Sequence, residues 1–423
     1  MARSSRIPGF HQMTVEERIR AVQEFADLTD DEVAILGRSA VLGMETAQRM
    51  IENVVGTFEL PLGIVPNLIV NGREVLIPLA VEESSVVAAM ANAGKMARSG
   101  GGFFASTSGP IMIAQVQAVG MSDPFAAKIR ILERRDEIIA ICNEQDPVLV
   151  GLGGGCRDVE VRVLDSSVGP MVVTHLIVDT RDAMGANAVN TMAEALAPHI
   201  EKWTGGRVFL RILSNLADRR LARARCVVKK DAIPPGPHVI DGIVCAWAFA
   251  DTDPYRAATH NKGIMNGISA LVVATGNDFR AVEAGAHAFA ARTGRYRPLT
   301  KWEKNADGDL VGSIEMPLAM GIVGGATAVH PMAKLALKIL GVTRATELAE
   351  ITAAAGLCQN LAALRVLAAE GVQKGHMKLH AKNIAMMAGA TGDEIEQVAE
   401  RMIRGGKVRM DVAREILSEL RKA

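Results

Sequence analysis

The chain is poor in aromatic residues. Phe, Trp and Tyr together make up 4% of it, with two tyrosines and three tryptophans. Its cores must therefore be mostly aliphatic and alanine-rich. Cysteine is scarce and scattered: Cys142, Cys156, Cys226, Cys245 and Cys358 stand singly, with no C-x-x-C pair. An odd count in a chain of 423 residues argues against a disulfide framework and for a reducing, cytoplasmic compartment. Neither charge sign is in excess, since 47 Lys and Arg balance 47 Asp and Glu. That balance leaves no electrostatic ground for a nucleic-acid or membrane-surface partner. No charge-free apolar run reaches the roughly 18 residues that span a bilayer. The opening residues, Met1 to Pro8, hold no stretch apolar enough for a signal peptide. A soluble protein without a membrane partner is expected. What the chain has in quantity is hydrophobic surface, at 49%, and 40 glycines. At about 150 residues per domain, two or three domains are expected.

Residues 13–52 read as helical pieces, with Thr14-Val-Glu-Glu and Thr29-Asp-Asp-Glu as capping boxes. Residues 58–81 read as two strands around an Asn71-Gly72 hairpin turn. Glu82 to Arg98 reads as a helix, broken by Ser99-Gly-Gly-Gly102. The stretch from about 110 to 215 parses as strand (111–119), helix (123–143), strand (157–164), strand (171–178), helix (187–203), strand (207–213). That order, β-α-β-β-α-β, is the ferredoxin-like arrangement, here inserted in a larger, mostly helical domain. Val239–Phe249 reads as strand-like. Helical stretches are expected from there to about 372, with a hinge at Lys374-Gly375 and a charged helical tail after it.

Several segments invite functional readings. Gly151-Leu-Gly-Gly-Gly155 is read as a connector, because it follows a helix and precedes a strand, the reverse of a dinucleotide fingerprint. Asp182-Ala-Met-Gly-Ala-Asn187 lies between strand and helix. There a glycine allows close backbone approach to a phosphate at a helix N-terminus, and an ordinary turn explains it equally well. Asp146 before Pro147 is either a helix-ending residue or a carboxylate for an adenosine ribose, which would repel a 2′-phosphate. Glu83 follows Glu82 at a strand-to-helix junction, where adjacent acids are usually surface charges that favour a helix start. Lys262 sits in a stretch with no further formal charge until Asp278, so it must be paired or functional. Asp278 is either its partner or the N-cap of the next helix. His376 and His380 are spaced as zinc ligands can be, yet no third ligand is evident and no metal is expected.

Taken together, Glu52-Asn-Val-Val-Gly56, Asp182–Asn187, Arg211-Ile-Leu-Ser-Asn215, Asp253–Lys262, Ala274-Thr-Gly-Asn-Asp278 and Gly375–Asn383 resemble the ordered motifs of hydroxymethylglutaryl-CoA reductases. The resemblance runs through essentially the whole chain. It is closest to the class II, soluble branch, and within it to the NAD-dependent degradative form. It implies an α+β fold: a large, mostly helical substrate- and CoA-binding domain (1–109 and 216–374), an inserted ferredoxin-like NAD-binding domain (110–215) and a C-terminal helical flap (375–423). It implies interconversion of hydroxymethylglutaryl-CoA and mevalonate plus CoA by two hydride transfers with NAD rather than NADP, through hemithioacetal and mevaldehyde. Lys262 would stabilise the oxyanion, Glu83 would exchange the proton, Asp278 would join both in one network, and His376 would protonate the CoA thiolate. Ser85, Arg256 and Asn266 would fix the hydroxymethylglutaryl group, with Gln359 and Asn360 lining its pocket. Asp146, the turn of Asp182, Ala183, Met184, Gly185, Ala186 and Asn187, and Asn215 would hold the dinucleotide. A homodimer or larger homo-oligomer with sites at the interface would follow. Ser84 stands where close relatives are expected to have proline, and Ala186 where the membrane-anchored branch has methionine.

Two other classes fit less well. A condensing acyltransferase needs a nucleophilic cysteine, and none of the five sits in a nucleophile motif. A regulatory ferredoxin-like protein has no use for a lysine such as Lys262.

Overall fold

The protein is described by a computed structural model covering residues 3–369 and 372–422, with the side chains of 372–379 outside the description. The chain opens with α1 (Val15–Ala26), α2 (Asp30–Leu36) and α3 (Met44–Met50). Both expected capping boxes form: the hydroxyls of Thr14 and Thr29 accept from the N–H of Glu17 and Glu32, whose carboxylates accept in return. Then come strands β1 (Leu62–Val70) and β2 (Arg73–Ala80), joined at Asn71-Gly72 as the sequence predicts, although β1 starts at Leu62 rather than Phe58. Helix α4 (Val86–Ala97) and strand β3 (Phe103–Thr107) follow. The helix begins later than its apolar pattern suggests, so Glu82 and Glu83 lie on the loop before it.

Next is β4 (Ile111–Val119), then α5 (Pro124–Leu132), α6 (Arg135–Glu144), α7 (Pro147–Gly151), β5 (Gly155–Leu164), β6 (Met171–Asp179), α8 (Ala186–Thr204) and β7 (Arg207–Ser214). The four strands form one antiparallel sheet in the order β5-β6-β4-β7, the ferredoxin-like order. The single helix expected over 123–143 is broken at 133–134. Pro147, with its fixed φ, opens the additional helix α7. Apolar faces of α5, α6 and α8 pack on one side of this sheet around Met112, Leu176 and Met192, all fully buried.

After the sheet come β8 (Leu221–Val228), α9 (His238–Thr252), α10 (Pro254–Ala274), α11 (Phe279–Ala290), β9 (Thr300–Lys304) and β10 (Leu310–Pro317). The strand expected at 239–249 is therefore a helix. It is buried on one side at Val239, Ile240 and Ile243, and short apolar runs of this kind do not separate strand from helix. The β9–β10 hairpin lies where helix was expected, around a turn at Asn305–Gly308. A second sheet runs β2-β1-β3-β8-β10-β9.

Helices α12 (Gly325–Val329), α13 (Pro331–Leu340), α14 (Ala345–Ala369), α15 (Val372–Met387), α16 (Asp393–Arg404) and α17 (Met410–Leu420) complete the description. α14 has apolar residues around most of its circumference, as a helix largely enclosed by protein must. It is long and apolar enough to cross a membrane, yet 72% of that stretch is buried inside the molecule. It packs with α4 and α10 on the six-stranded sheet, around Phe103, Ile268 and Trp302. α15, α16 and α17 share a small core of their own, around Val398 and Met402. Lys374 and Gly375 fall inside α15, so the expected hinge is helical there.

The ferredoxin-like sheet is inserted between two adjacent strands of the larger one. Thr107, at the end of β3, pairs with Ala222 on β8. The exits are stitched together: the N–H of Ser108 donates to the Leu221 carbonyl at 2.9 Å, and the Leu221 N–H donates to Ser108 Oγ at 2.8 Å.

Candidate active site

Lys262 and Asn266 are four apart on α10 and so share a face. That face meets the loop between β2 and α4. Lys262 Nζ donates to Glu83 Oε2 at 2.7 Å, and Asn266 Nδ2 approaches Glu83 Oε1 at 3.4 Å. Lys262 is thus paired, although its side chain is 61% exposed and that of Glu83 38%. The helix turns its apolar neighbours Ile264, Met265 and Ile268 to the core and Lys262 outward. A pair this open contributes at most about 1 kcal/mol to folding. Stability alone therefore gives little reason to join the two positions.

Asp278 takes the other of its two sequence readings. It is the N-cap of α11, its Oδ1 accepting from the N–H groups of Arg280 and Ala281 at 3.0 and 3.1 Å. Its ion-pair partner is the Arg280 guanidinium at 3.5 Å, while Lys262 pairs with Glu83. Capping uses Oδ1 alone, and among the described residues no hydrogen bond or ion pair joins Asp278 to Lys262 or Glu83. Its neighbour Asn277 accepts from the Gly321 N–H at 2.8 Å.

Ser85 is the residue before α4 and sits at φ 77°, left-handed backbone that costs a non-glycine residue about 1–2 kcal/mol. Ser84 and Ser85 line a cleft of about 1370 Å³ that runs under the N-terminal segment and is edged by Arg6, Arg38 and Lys95. Arg256 is half-buried on α10, burial lowers its pKa, and its guanidinium meets no carboxylate among the described residues.

Asn360 is a buried hydrogen-bond acceptor in the core. It is 1% exposed, and its Oδ1 accepts from Thr300 Oγ1 at 2.9 Å and Trp302 Nε1 at 2.7 Å, which pins β9 to α14. Gln359 is buried beside Gly267, and its Oε1 has no partner among the described residues. Buried His260 joins the same core by its contact with Thr300 Oγ1 at 2.7 Å. Burial first, and the charge of Arg256 second, push its pKa down to about 3. The side chain of His376 lies outside the described residues.

The turn 182–187 bridges the two sheets. The carboxylate of Asp182 accepts from the Ala345 N–H at 2.8 Å, at the start of α14. Its carbonyl accepts from Ile322 N–H at 2.9 Å. Gly185 has φ 102°, and a Cβ there would stand 2.4 Å from Thr180 Cγ2. A Cβ on Gly321 would stand 2.5 Å from Met184 N, so both contacts require glycine. α8 starts at Ala186 with no side-chain cap, which leaves the amides of Ala186, Asn187 and Ala188 for an anion. These uncapped donors and the glycine that clears them fit a dinucleotide pyrophosphate.

Asp146 is the N-cap of α7 and does not end a helix, its Oδ1 accepting from Leu149 N–H at 2.9 Å. Exposed Asn215 follows β7. The Gly151–Gly155 segment does connect helix to strand, and the guanidinium groups of Arg157 and Arg181 both donate to its Gly153 carbonyl.

Arg220 was missed from the sequence, where Asp218-Arg-Arg-Leu looks like solvated charge. It is 5% exposed, and burial lowers its pKa to about 10, opposed by Asp179 and Asp182. The alternation was a usable signal: Arg220, Ala222, Ala224, Cys226 and Val228 all face inward.

The sequence model described as hydroxymethylglutaryl-coenzyme A reductase matches residues 14–381. The chain is 59% identical over 421 residues to the 3-hydroxy-3-methylglutaryl-coenzyme A reductase of Archaeoglobus fulgidus, covering 99% of this chain and 96% of that protein. It is 37% identical to a probable enzyme of the same name from Borreliella burgdorferi, over 79% of this chain and 77% of that one. Among solved structures, the class II reductase of Streptococcus pneumoniae bound to NADPH in open conformations superposes with TM-score 0.82 at 40% identity, covering 97% of this chain and 100% of that one.

Proposed function

The chain belongs to the class II hydroxymethylglutaryl-coenzyme A reductase family, and on that premise we propose how its residues interconvert hydroxymethylglutaryl-CoA and mevalonate. The observation that carries the proposal is the Lys262–Glu83 contact at 2.7 Å, on the loop whose next two residues, Ser84 and Ser85, line the cleft. A bound nicotinamide dinucleotide supplies or accepts the two hydrides. Each reduction step builds negative charge on the substrate oxygen, and the Lys262 ammonium stabilises it. One such donor is worth about 3–4 kcal/mol. Glu83, already hydrogen-bonded to that amine, exchanges the proton at the same oxygen through hemithioacetal and mevaldehyde. His376 protonates the departing CoA thiolate, which prevents it from adding back. Arg256 holds the substrate carboxylate, for which its uncompensated guanidinium is suited. Ser85 and Asn266 orient the rest of the acyl group. Asp278 completes the network when the substrate or a partner subunit closes the site.

NAD is the proposed dinucleotide. The pyrophosphate meets the Gly185–Asn187 turn, and Asn215 flanks it. Asp146 keeps one carboxylate oxygen clear of its helix cap and repels a 2′-phosphate. A cell that holds NAD mostly oxidised would use the enzyme to break mevalonate down. NADP is the second reading, favoured by the two guanidinium groups crowded at Gly153 and by the pneumococcal relative bound to NADPH.

A homodimer with its sites at the interface is supported by an apolar strip on the N-terminal segment, with Ile51, Val55 and Phe58 at 65%, 100% and 92% exposure. Five free cysteines suit a cytoplasmic setting. The test is direct: purified protein with mevalonate, CoA and NAD should generate absorbance at the NADH band, and Lys262→Ala should do so at least about a hundredfold more slowly. No signal with either NAD or NADP would reject the proposal.

A further inference from the structure

The turn that faces the dinucleotide is itself held by a buried cation. The Arg220 guanidinium donates to Thr180 Oγ1 at 2.9 Å, to the Met184 carbonyl at 3.0 Å, to the Ala183 carbonyl at 3.2 Å, and to the Met320 carbonyl. We propose that Arg220 is a positioning residue for the dinucleotide: it holds the carbonyls of the 183–184 turn inward and so aims the amides at the start of α8 outward. The inference rests on the reading of 182–187 as the cofactor turn.

Three observations carry it. The first is peptide geometry. In a trans peptide the C=O and the next N–H point in opposite directions. Drawing the Met184 carbonyl into the guanidinium turns the Gly185 N–H the other way, toward the side where the amides of Ala186, Asn187 and Ala188 are uncapped. The second is the form of the donor. Only a planar fork reaches two adjacent carbonyls, a hydroxyl and a carbonyl from a distant segment together, and a lysine ammonium cannot. The third is placement. Arg220 lies on the crossover from the ferredoxin-like sheet to β8, and Met320 lies in the segment that follows β10. That segment reaches Asn277 through Gly321, and the turn reaches α14 through Asp182. The turn is thus tied to the elements that carry Lys262 and Asp278. A buried charge is costly to keep. Here it sits behind the place where a pyrophosphate binds and adds to the positive end of α8.

The experiment is steady-state kinetics on the full chain carrying Arg220→Met and Arg220→Lys, with each substrate varied in turn and thermal unfolding recorded with and without NADH. The KM for the dinucleotide should rise at least tenfold in Arg220→Met and by an intermediate factor in Arg220→Lys. The KM values for mevalonate and CoA should stay within twofold. NADH should no longer raise the melting temperature of Arg220→Met. Unchanged KM values, or KM values for all three substrates that rise together, would overturn the proposal. If Arg220→Met does not fold, Thr180→Val decides, since it removes one hydroxyl from the same cage. A threefold rise in dinucleotide KM alone supports the proposal, and no change overturns it. Ala186→Glu separates the two layers by placing a carboxylate at the open helix start. If that variant binds the dinucleotide normally, the cofactor reading of the turn fails. If it weakens binding while the Arg220 variants do not, the positioning proposal alone fails.

Discussion

Lys262 Nζ and Glu83 Oε2 are 2.7 Å apart although 179 positions separate them in the chain. Their exposure makes the pair weak as a structural tie, so its removal should be felt in catalysis. Lys262→Ala is expected to lower turnover by about 10²–10³-fold, the cost of losing one preorganised donor. Its melting temperature should stay within about two degrees of the parent. A large drop in stability with turnover retained would contradict this.

Glu83→Gln keeps the shape of the side chain and removes its proton exchange. Mevaldehyde reduction should fall by about 10²–10⁴-fold. His376→Gln should instead spare mevaldehyde reduction and impair thioester reduction. Rates measured separately on mevaldehyde and on hydroxymethylglutaryl-CoA check the division of labour.

Asn360 gives the opposite expectation. Asn360→Ala would strand the Trp302 N–H in the core and leave Thr300 Oγ1 with His260 alone, and the stranded donor with the cavity costs about 2–4 kcal/mol. Urea unfolding should move by several kcal/mol. KM for hydroxymethylglutaryl-CoA should change little, and a selective KM effect would restore the substrate-binding role.

Glu74 controls a pH response. Burial raises its pKa, but hydrogen bonds from Arg98 and Ser5 outweigh that and hold it at about 2. A carboxylate depressed below its unfolded value of 4.5 contributes stability above that pH and loses it as pH falls toward about 2. Glu74→Gln should therefore be less stable than the parent at pH 7. The gap should close between pH 4.5 and about 2, read by denaturant midpoints across that range.

Asp146→Asn retains an oxygen for the Leu149 N–H and removes the charge. The ratio of kcat/KM for NADP to that for NAD should rise at least tenfold. An unchanged ratio would move cofactor choice to Arg157 and Arg181.

What could be read from the sequence was what local chemistry dictates. The threonine boxes, the Asn71-Gly72 turn and the ferredoxin-like strand order follow from spacing and alternation. What escaped was decided by contacts between distant segments. Asn360 looks like any polar residue until Trp302 arrives against it. Asp278 had two possible partners, and only the fold shows that its own helix takes the carboxylate. Val239–Phe249 is apolar enough for either element, and packing of one face makes it a helix. Arg220 was hidden because a charged run reads as surface, although its alternation with Ala222 and Ala224 points inward.

The insert leaves and re-enters the larger sheet through one clip, Thr107 opposite Ala222 with Ser108 and Leu221 joined. A polypeptide built this way is a cassette in a hairpin: excising residues 109–219 and closing the gap with a short turn would leave β3 and β8 still in register. Evolution, or a designer, can graft the whole segment from one relative to another through two junctions that lie side by side. The graft must bring matching residues at 220 and 320–322, since the seam is written on both sides.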